Sequence, residues 1–248
     1  MKAMLLSAGL GSRLRPLTDD RPKCMVPVAG KPVLQWNLEF LRSEGIDEVV
    51  INLHHYPQTV IDYFQDGSSF GVRIHYSYEP ELMGTAGGVW MARRHFSHER
   101  FLVLYADNLI KCNLQALLYF HLTNNSALTM VLFWRQDVSA SGVVQLNNKG
   151  KITAFIEKPG KDQVLSHWVN AGMYLCETSV VQYIPGGVPS DFGHNVLPAL
   201  INAEEPLYGY TMGPDETLYW IDTQKDLIFT ENILSRKTIE NKPLHTNL

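Results

Sequence analysis

Two cations lie close to a pair of glycines near the start of the chain, in Ala8-Gly9-Leu10-Gly11-Ser12-Arg13, with Lys23 ten residues beyond Arg13. An apolar stretch of strand length, Lys2 to Ser7, runs directly before them. Glycines after a strand let backbone N–H groups approach a phosphate with no side chain in the way, and the two cations can neutralise its charge. The loop is neither of two familiar nucleotide fingerprints. Leu14 replaces the third glycine of G-x-G-x-x-G, and no Gly-Lys-Ser/Thr follows as a Walker loop requires. Two carboxylates also follow apolar runs: Asp107 after Phe101 to Tyr105, and Asp222 after Leu218 to Ile221. A carboxylate at the carboxyl edge of a parallel sheet faces ligands, and the same position suits a helix N-cap; both readings stand here.

The elements that must position these groups alternate strand-length apolar runs with stretches of helical period, the pattern of an α/β domain. Strands are expected at Lys2 to Ser7, Val49 to Leu53, Val72 to Tyr78 and Phe101 to Tyr105. Between the first two, Pro32 can open a helix, Leu34, Leu38 and Leu41 share a face, and Gly45 can end it. Further helices are expected over Pro57 to Phe64, Thr85 to Phe96 and Leu114 to Leu122. After about Ala127 the pattern turns antiparallel, with strands at Leu128 to Trp134, Gly142 to Leu146 and Ile152 to Ile156, the last two joined by the turn Asn147-Asn148-Lys149-Gly150. A helix from Asp191, N-capped by Ser190, and a last one from Thr223 to about Arg236 complete the expectation. The fold class is thus α/β: a Rossmann-like, mixed, mostly parallel sheet flanked by helices, with a small antiparallel part and no hexapeptide repeat of a left-handed β-helix. One domain spans 1–248, with a nucleotide half over about 1–126, an acceptor half over about 127–236 and a tail over 237–248.

Composition narrows the partners. Among 248 residues, 45% are hydrophobic and 19% charged, and 21 Lys and Arg against 25 Asp and Glu leave a net charge of −4 with no charge runs. A packed globular chain is expected, not a nucleic-acid binder. No apolar stretch approaches the ~18 residues of a membrane span, and the N-terminal run is too short for a signal-peptide core. Cys24, Cys112 and Cys176 are odd in number and widely spaced, so a soluble, cytoplasmic protein without disulfides or a zinc site is expected. His54 and His55 are adjacent at a strand end and point to opposite faces, which argues against a metal pair.

The stretch Leu6 to Thr18, continued by Pro22-Lys23-Cys24-Met25-Val26-Pro27-Val28-Ala29-Gly30-Lys31-Pro32, resembles the signature of the sugar-1-phosphate nucleotidyltransferases. The likeness continues in order through Glu79-Pro80, Gly84-Thr85-Ala86-Gly87-Gly88, Ala106-Asp107-Asn108, Glu157-Lys158-Pro159, Asn170-Ala171-Gly172 and Trp220-Ile221-Asp222, covering roughly residues 1 to 230. Ser190-Asp191-Phe192-Gly193-His194-Asn195-Val196-Leu197-Pro198 is similar to a segment of short mannose-1-phosphate and heptose-1-phosphate guanylyltransferases.

The resemblance implies transfer of NMP from an NTP to a sugar 1-phosphate, giving NDP-sugar and pyrophosphate. It implies Mg²⁺ held between Asp107 and Asp222, with phosphates and water completing the shell. It makes Arg13 and Lys23 the cations on the triphosphate, and Lys158 the partner of the sugar phosphate. Ala8, Gly9, Gly11, Ser12, Gly84 and Thr85 would bind the nucleotide, and Glu157, Asn170 and Gly172 the sugar phosphate. Glu79, acceptor-only when ionised, would suit the N1–H and N2–H₂ donors of guanine, and equally reads as a solvent-exposed residue before proline; the resemblance favours GTP with mannose or heptose 1-phosphate.

Two departures from the family pattern are visible. Ala106 replaces a glycine before the first aspartate, and Thr223-Gln224-Lys225 replaces a run that commonly carries Gly-Thr. The rival readings are UTP, dTTP or CTP with glucose, an amino sugar or phosphocholine, and a catalytically silent nucleotide-sugar-binding subunit. The presence of Arg13, Lys23, Asp107 and Lys158 weighs against the silent subunit, and a homodimer remains open.

Overall fold

The computed structural model of the chain describes the backbone of residues 1–240 and the side chains of residues 1–235. The first part runs β1 (Lys2–Leu6), β2 (Pro27–Val28), β3 (Lys31–Pro32), α1 (Val33–Ser43), β4 (Glu48–Leu53), α2 (Pro57–Phe64) and β5 (Arg73–Tyr78). Then follow α3 (Gly84–Ala92), β6 (Phe101–Tyr105), β7 (Asn108–Lys111), α4 (Leu114–Thr123), β8 (Leu128–Trp134), β9 (Gly142–Leu146) and β10 (Ile152–Glu157). The last part is β11 (Trp168–Cys176), α5 (Leu197–Asn202), β12 (Leu207–Thr211), β13 (Thr217–Trp220) and α6 (Gln224–Glu240).

One nine-stranded sheet organises the chain, in the order β10-β9-β11-β6-β1-β4-β5, with β8 beside β11 and β12 beside β8. The strands β6, β1, β4 and β5 are parallel, and β11 pairs antiparallel to β6, β8 and β9. The architecture is the expected mixed α/β sheet flanked by helices, with small antiparallel sheets besides and no β-helix among the described residues. The register of β11 against β8 shifts between Asn170 and Tyr174. Gly172 sits in this shift at φ +76°, where only glycine is unstrained, and a Cβ there would come within 3.1 Å of Tyr105.

Strand side chains alternate between two cores. Leu5, Ile51, Leu104 and Leu175 meet α1, α2 and α4 through Leu38, Phe64 and Leu117. On the other face, Met4, Val50, Val103 and Met130 meet α3 and α5 through Val89 and Leu200. A third cluster joins Leu14, Val26, Val33, Leu109, Ile221 and Leu227, tying the loop after β1 to β7 and α6. No helix among the described residues is long and apolar enough to cross a membrane.

Several ends differ from the sequence expectation. Ser190 is not a helix N-cap: its carbonyl accepts from the N–H groups of Ala86 and Gly87 at 2.9 and 3.0 Å, and Asp191 precedes a π-helical turn, Phe192–Val196, that leads into α5. The helix expected over Thr85 to Phe96 tightens to a 3₁₀ turn after Ala92. The last helix runs past Arg236 to Glu240, so the start of the expected tail is helical, and residues 241–248 lie outside the described residues.

Candidate active site

The carboxyl ends of the parallel strands β1, β4 and β6 open onto a cleft of about 230 Å³. Ser7, Ala8 and Gly9 line it from β1, Asn52 from β4, Tyr105 and Asp107 from β6, with Lys23, Gly84, Thr85 and Asp191 around them. This is where open α/β sheets bind ligands, because crossover helices leave the strand ends uncovered there.

Asp107 lies between β6 and β7, and Asp222 two residues after β13. Because β7 and β13 pair antiparallel with Asn108 opposite Trp220, the two carboxylates come out side by side. Neither caps a helix. Asp107 is followed by a strand, and α6 is capped by Thr223, whose N–H and hydroxyl donate to Asp226 at 2.9 and 2.7 Å. The N-cap reading of both residues thus falls away, and the threonine at the departure from the family pattern has a structural role.

Lys23 Nζ donates to Asp107 Oδ2 and to Asp222 Oδ1, each at 2.8 Å, and Arg13 reaches Asp222 Oδ1 at 3.1 Å. The site is a compact array of two cations and two carboxylates, formally neutral. Gly11 makes room for it: at φ +63°, a Cβ there would lie 2.9 Å from the Lys23 side chain. Burial alone would lower the Lys23 pKa, but the two carboxylates hold the ammonium above its ordinary value. Burial pushes Asp222 up, and Lys23 with Arg13 more than offsets this, so its carboxyl titrates below its usual range. Cys24, fully buried below the cleft, is pushed up to about 12 by burial and is not a nucleophile.

The donor set fits a hard divalent cation. Asp107 Oδ1 is buried with no hydrogen-bond partner, and carboxylate oxygens are the ligands Mg²⁺ prefers. No third His, Cys, Asp or Glu joins the pair among the described residues, so phosphate and water oxygens would complete the shell.

The structure brings together most of the residues expected on the nucleotide side. Ala8, Gly9, Gly84 and Thr85 line the cleft, and Gly11 packs against Lys23 behind it. Ser12 opens an exposed 3₁₀ turn with Arg13. Glu79 is a correction: it is 0% exposed, with Oε1 accepting from Asn52 Nδ2 at 2.7 Å and Oε2 from the Met83 N–H at 3.0 Å. Asn52 Oδ1 in turn accepts from the Ser7 N–H at 2.7 Å. Glu79 therefore braces the two walls of the cleft and is not presented to a base.

The acceptor-side residues gather beside the cleft without lining it. Glu157 ends β10 half-buried, with its carboxylate 2.9 Å from where a Cβ on Gly193 would lie. Lys158 is exposed at φ +50° and has no side-chain partner among the described residues. Asn170 donates to Tyr174 Oη and accepts from the Gly172 N–H at 2.9 Å, and Tyr174 Oη meets Tyr105 Oη at 3.2 Å. Sequence reasoning missed three cleft residues, Asn52, Tyr105 and Asp191. Asp191 Oδ1 accepts from both the N–H and the hydroxyl of Thr85 at 3.0 Å. The similarity of Ser190 to Pro198 to the guanylyltransferases was the only pointer to Asp191, and nothing in the sequence pointed to Asn52.

The nucleotidyl transferase family profile matches residues 2–229. The chain belongs to the nucleotidyl transferase family. It is 36% identical over 238 residues to a UTP–glucose-1-phosphate uridylyltransferase of Synechocystis, covering 91% of this chain and 60% of that protein. It is 34% identical over 232 residues to a mannose-1-phosphate guanylyltransferase of Mycobacterium tuberculosis, covering 91% of this chain and 62% of that one. This nucleotidyl transferase chain thus spans about three fifths of the length of these two relatives. Among solved structures it resembles HddC from Yersinia pseudotuberculosis in fold, with a TM-score of 0.80 at 21% identity over 94% of this chain and 99% of that chain.

Proposed function

We propose that the chain transfers a nucleotidyl group from an NTP to a sugar 1-phosphate, forming an NDP-sugar and pyrophosphate. The observation that carries the reading is the lysine held at 2.8 Å from both carboxylates at the mouth of the glycine-loop cleft. A reaction that joins two polyanions needs cations, backbone donors and metal-binding carboxylates at one point, and these residues supply them.

In the proposed reaction an oxygen of the sugar 1-phosphate attacks the α-phosphorus. The bond from that phosphorus to the bridging oxygen breaks, and pyrophosphate leaves with the electron pair. The attacking oxygen is already ionised at neutral pH, so no side chain has to remove a proton. Arg13 grips the leaving pyrophosphate with a planar fork, and Lys23 follows the reacting phosphoryl group as a mobile point charge. Lys158, unpaired among the described residues, is free to take the sugar phosphate, with Glu157 and Asn170 near the sugar hydroxyls. Mg²⁺, held by Asp107 and Asp222, would supply charge neutralisation on the phosphate oxygens.

For the substrates we propose GTP with mannose or heptose 1-phosphate, on the similarity of Ser190 to Pro198 to the short guanylyltransferases. The buried position of Glu79 takes away its support for guanine. UTP with glucose 1-phosphate is the second reading, favoured by the 36% identity to the Synechocystis uridylyltransferase. Pyrophosphate release with Mg²⁺, screened over GTP, UTP, dTTP, CTP and ATP against mannose, heptose, glucose and glucosamine 1-phosphates, decides between them. Release with one pair identifies the substrates. Silence across the panel, with a nucleotide sugar still bound, would replace the enzyme reading with that of a binding subunit.

A further inference from the structure

Arg135, which no part of the proposed reaction uses, lies over Trp220 at the end of the β7–β13 pair that leads to Asp107 and Asp222. It follows β8 directly. Its N–H donates to the His167 carbonyl at 3.0 Å, and its own carbonyl meets His167 Nδ1 at 3.1 Å, so the backbone is clamped. The guanidinium carbon lies 4.6 Å from the centroid of the Trp220 ring. Trp220 is held in turn by the edge of Phe133, with ring centroids 5.1 Å apart at 81°. The guanidinium is therefore held over the indole ring by packing before any ligand arrives.

The position of Trp220 gives the stack its meaning. It ends β13 opposite Asn108, next to Asp107 in one strand and two residues before Asp222 in the other. On its other side, β8 pairs with the segment of β11 that carries Asn170. The half-buried guanidinium makes no ion pair or hydrogen bond among the described residues. The acidic neighbour in sequence, Asp137, accepts from the Ser139 N–H and hydroxyl at 3.1 and 2.7 Å and feels the charge of Arg135 without bonding to it. An arginine held over a ring with its donors unbonded among the described residues is suited to a two-oxygen grip on phosphate or carboxylate.

We propose that Arg135, held over Trp220, binds an oxyanion of the acceptor substrate, either its 1-phosphate or an anionic group on its ring. The inference rests on the transferase reading and extends it to the acceptor pocket. The stack on Trp220 alone gives a surface arginine only modest stabilisation, so a purely structural role would show in melting temperature and not in acceptor binding.

The test compares wild type, Arg135→Met, which keeps the packing stem, and Arg135→Lys, which keeps the charge and loses the fork. Kinetics and calorimetric titration would use glucose and mannose 1-phosphates in one arm and glucuronic acid 1-phosphate in the other. R135M is expected to raise the acceptor KM and Kd by about 10- to 100-fold, with the NTP KM within about twofold and R135K in between. An equal loss in both arms assigns the 1-phosphate, and a loss confined to the glucuronic acid arm assigns the ring anion. If wild type turns over a sugar phosphate and R135M leaves the acceptor KM unchanged in both arms, the proposal is wrong and the transferase reading stands. If wild type neither binds nor turns over any acceptor while still binding NTP, the transferase reading fails and takes this proposal with it.

Discussion

Replacing Lys23 by methionine tests the electrostatic core of the site. Methionine keeps most of the buried stem, so packing survives and the loss is the ammonium. The Lys23 side chain is 8% exposed, against 37% for Asp107 and 31% for Asp222. Both carboxylates touch the same nitrogen at 2.8 Å, so without it two anions face each other across a short gap. At about 6 Å and an effective dielectric of about 20, their repulsion is about 3 kcal/mol. The partial exposure of both carboxylates cuts this to about 1–2 kcal/mol. For a chain of this size the melting temperature should fall by about 2–8 °C at pH 7 in EDTA. A divalent cation should then bind the emptied carboxylate pair, so Mg²⁺ should raise the melting temperature of K23M by more than it raises that of wild type. Turnover should fall by about 100-fold or more, because the cation proposed to follow the phosphoryl group is gone. Differential scanning calorimetry with and without Mg²⁺ reads the first two effects. An unchanged melting temperature in EDTA, or a variant no more responsive to Mg²⁺ than wild type, would refute the reasoning.

Three other changes follow from the same geometry. Asp222 titrates below its ordinary 3.8, so its stabilisation is complete above that value and is lost as pH falls through the lower folded value; the acid limb of wild-type melting should be steeper than that of Asp222→Asn below about pH 4. Asn52→Leu leaves the Ser7 N–H and the Glu79 carboxylate without their partner, which should cost about 1–3 kcal/mol in denaturant unfolding and raise the NTP KM with the acceptor KM unchanged. Gly172→Ala forces a side chain into φ +76° and to within 3.1 Å of Tyr105, so urea titration should show a loss of about 1–3 kcal/mol, and an equally stable variant would contradict the tight fit.

Much of the frame was legible because it depends on local pattern. The strands at Phe101 to Tyr105, Leu128 to Trp134 and Gly142 to Leu146 are apolar runs that end where the pattern ends. Helix α2 likewise begins at Pro57 and closes at Phe64 as its period requires. The missed parts depend on distant partners. Asn108 to Lys111 is only four residues long and reads as the ragged end of β6, yet it is a strand because Thr217 to Trp220 arrives to pair with it. Glu79 reads from sequence either as an acceptor for guanine donors or as a solvated residue before proline, and it is neither exposed nor turned to the cleft. Its burial is set by Asn52 and by the N–H of Met83, one on another strand and one in the next loop. Burial of a polar group is a property of the assembled fold, and one sequence carries little sign of it.

The β7–β13 pair also explains why the carboxylates can stand so close in a resting protein. On its own, β7–β13 is a two-stranded ribbon, which is marginal in water. Here Leu109 and Ile221 enter a buried cluster with Leu14, Val26 and Leu227, so the ribbon is fastened to both the glycine loop and the last helix. That apolar fastening holds the ends of the ribbon that carry Asp107 and Asp222, and Lys23 occupies the gap between them. In the proposed reaction, a nucleotide with Mg²⁺ would offer the lysine phosphate oxygens and the carboxylates a divalent partner. Trp220 lies on the same ribbon, so the Arg135 stack is fixed relative to the carboxylates by the same cluster, and acceptor and nucleotide would be aligned by one piece of rigid structure.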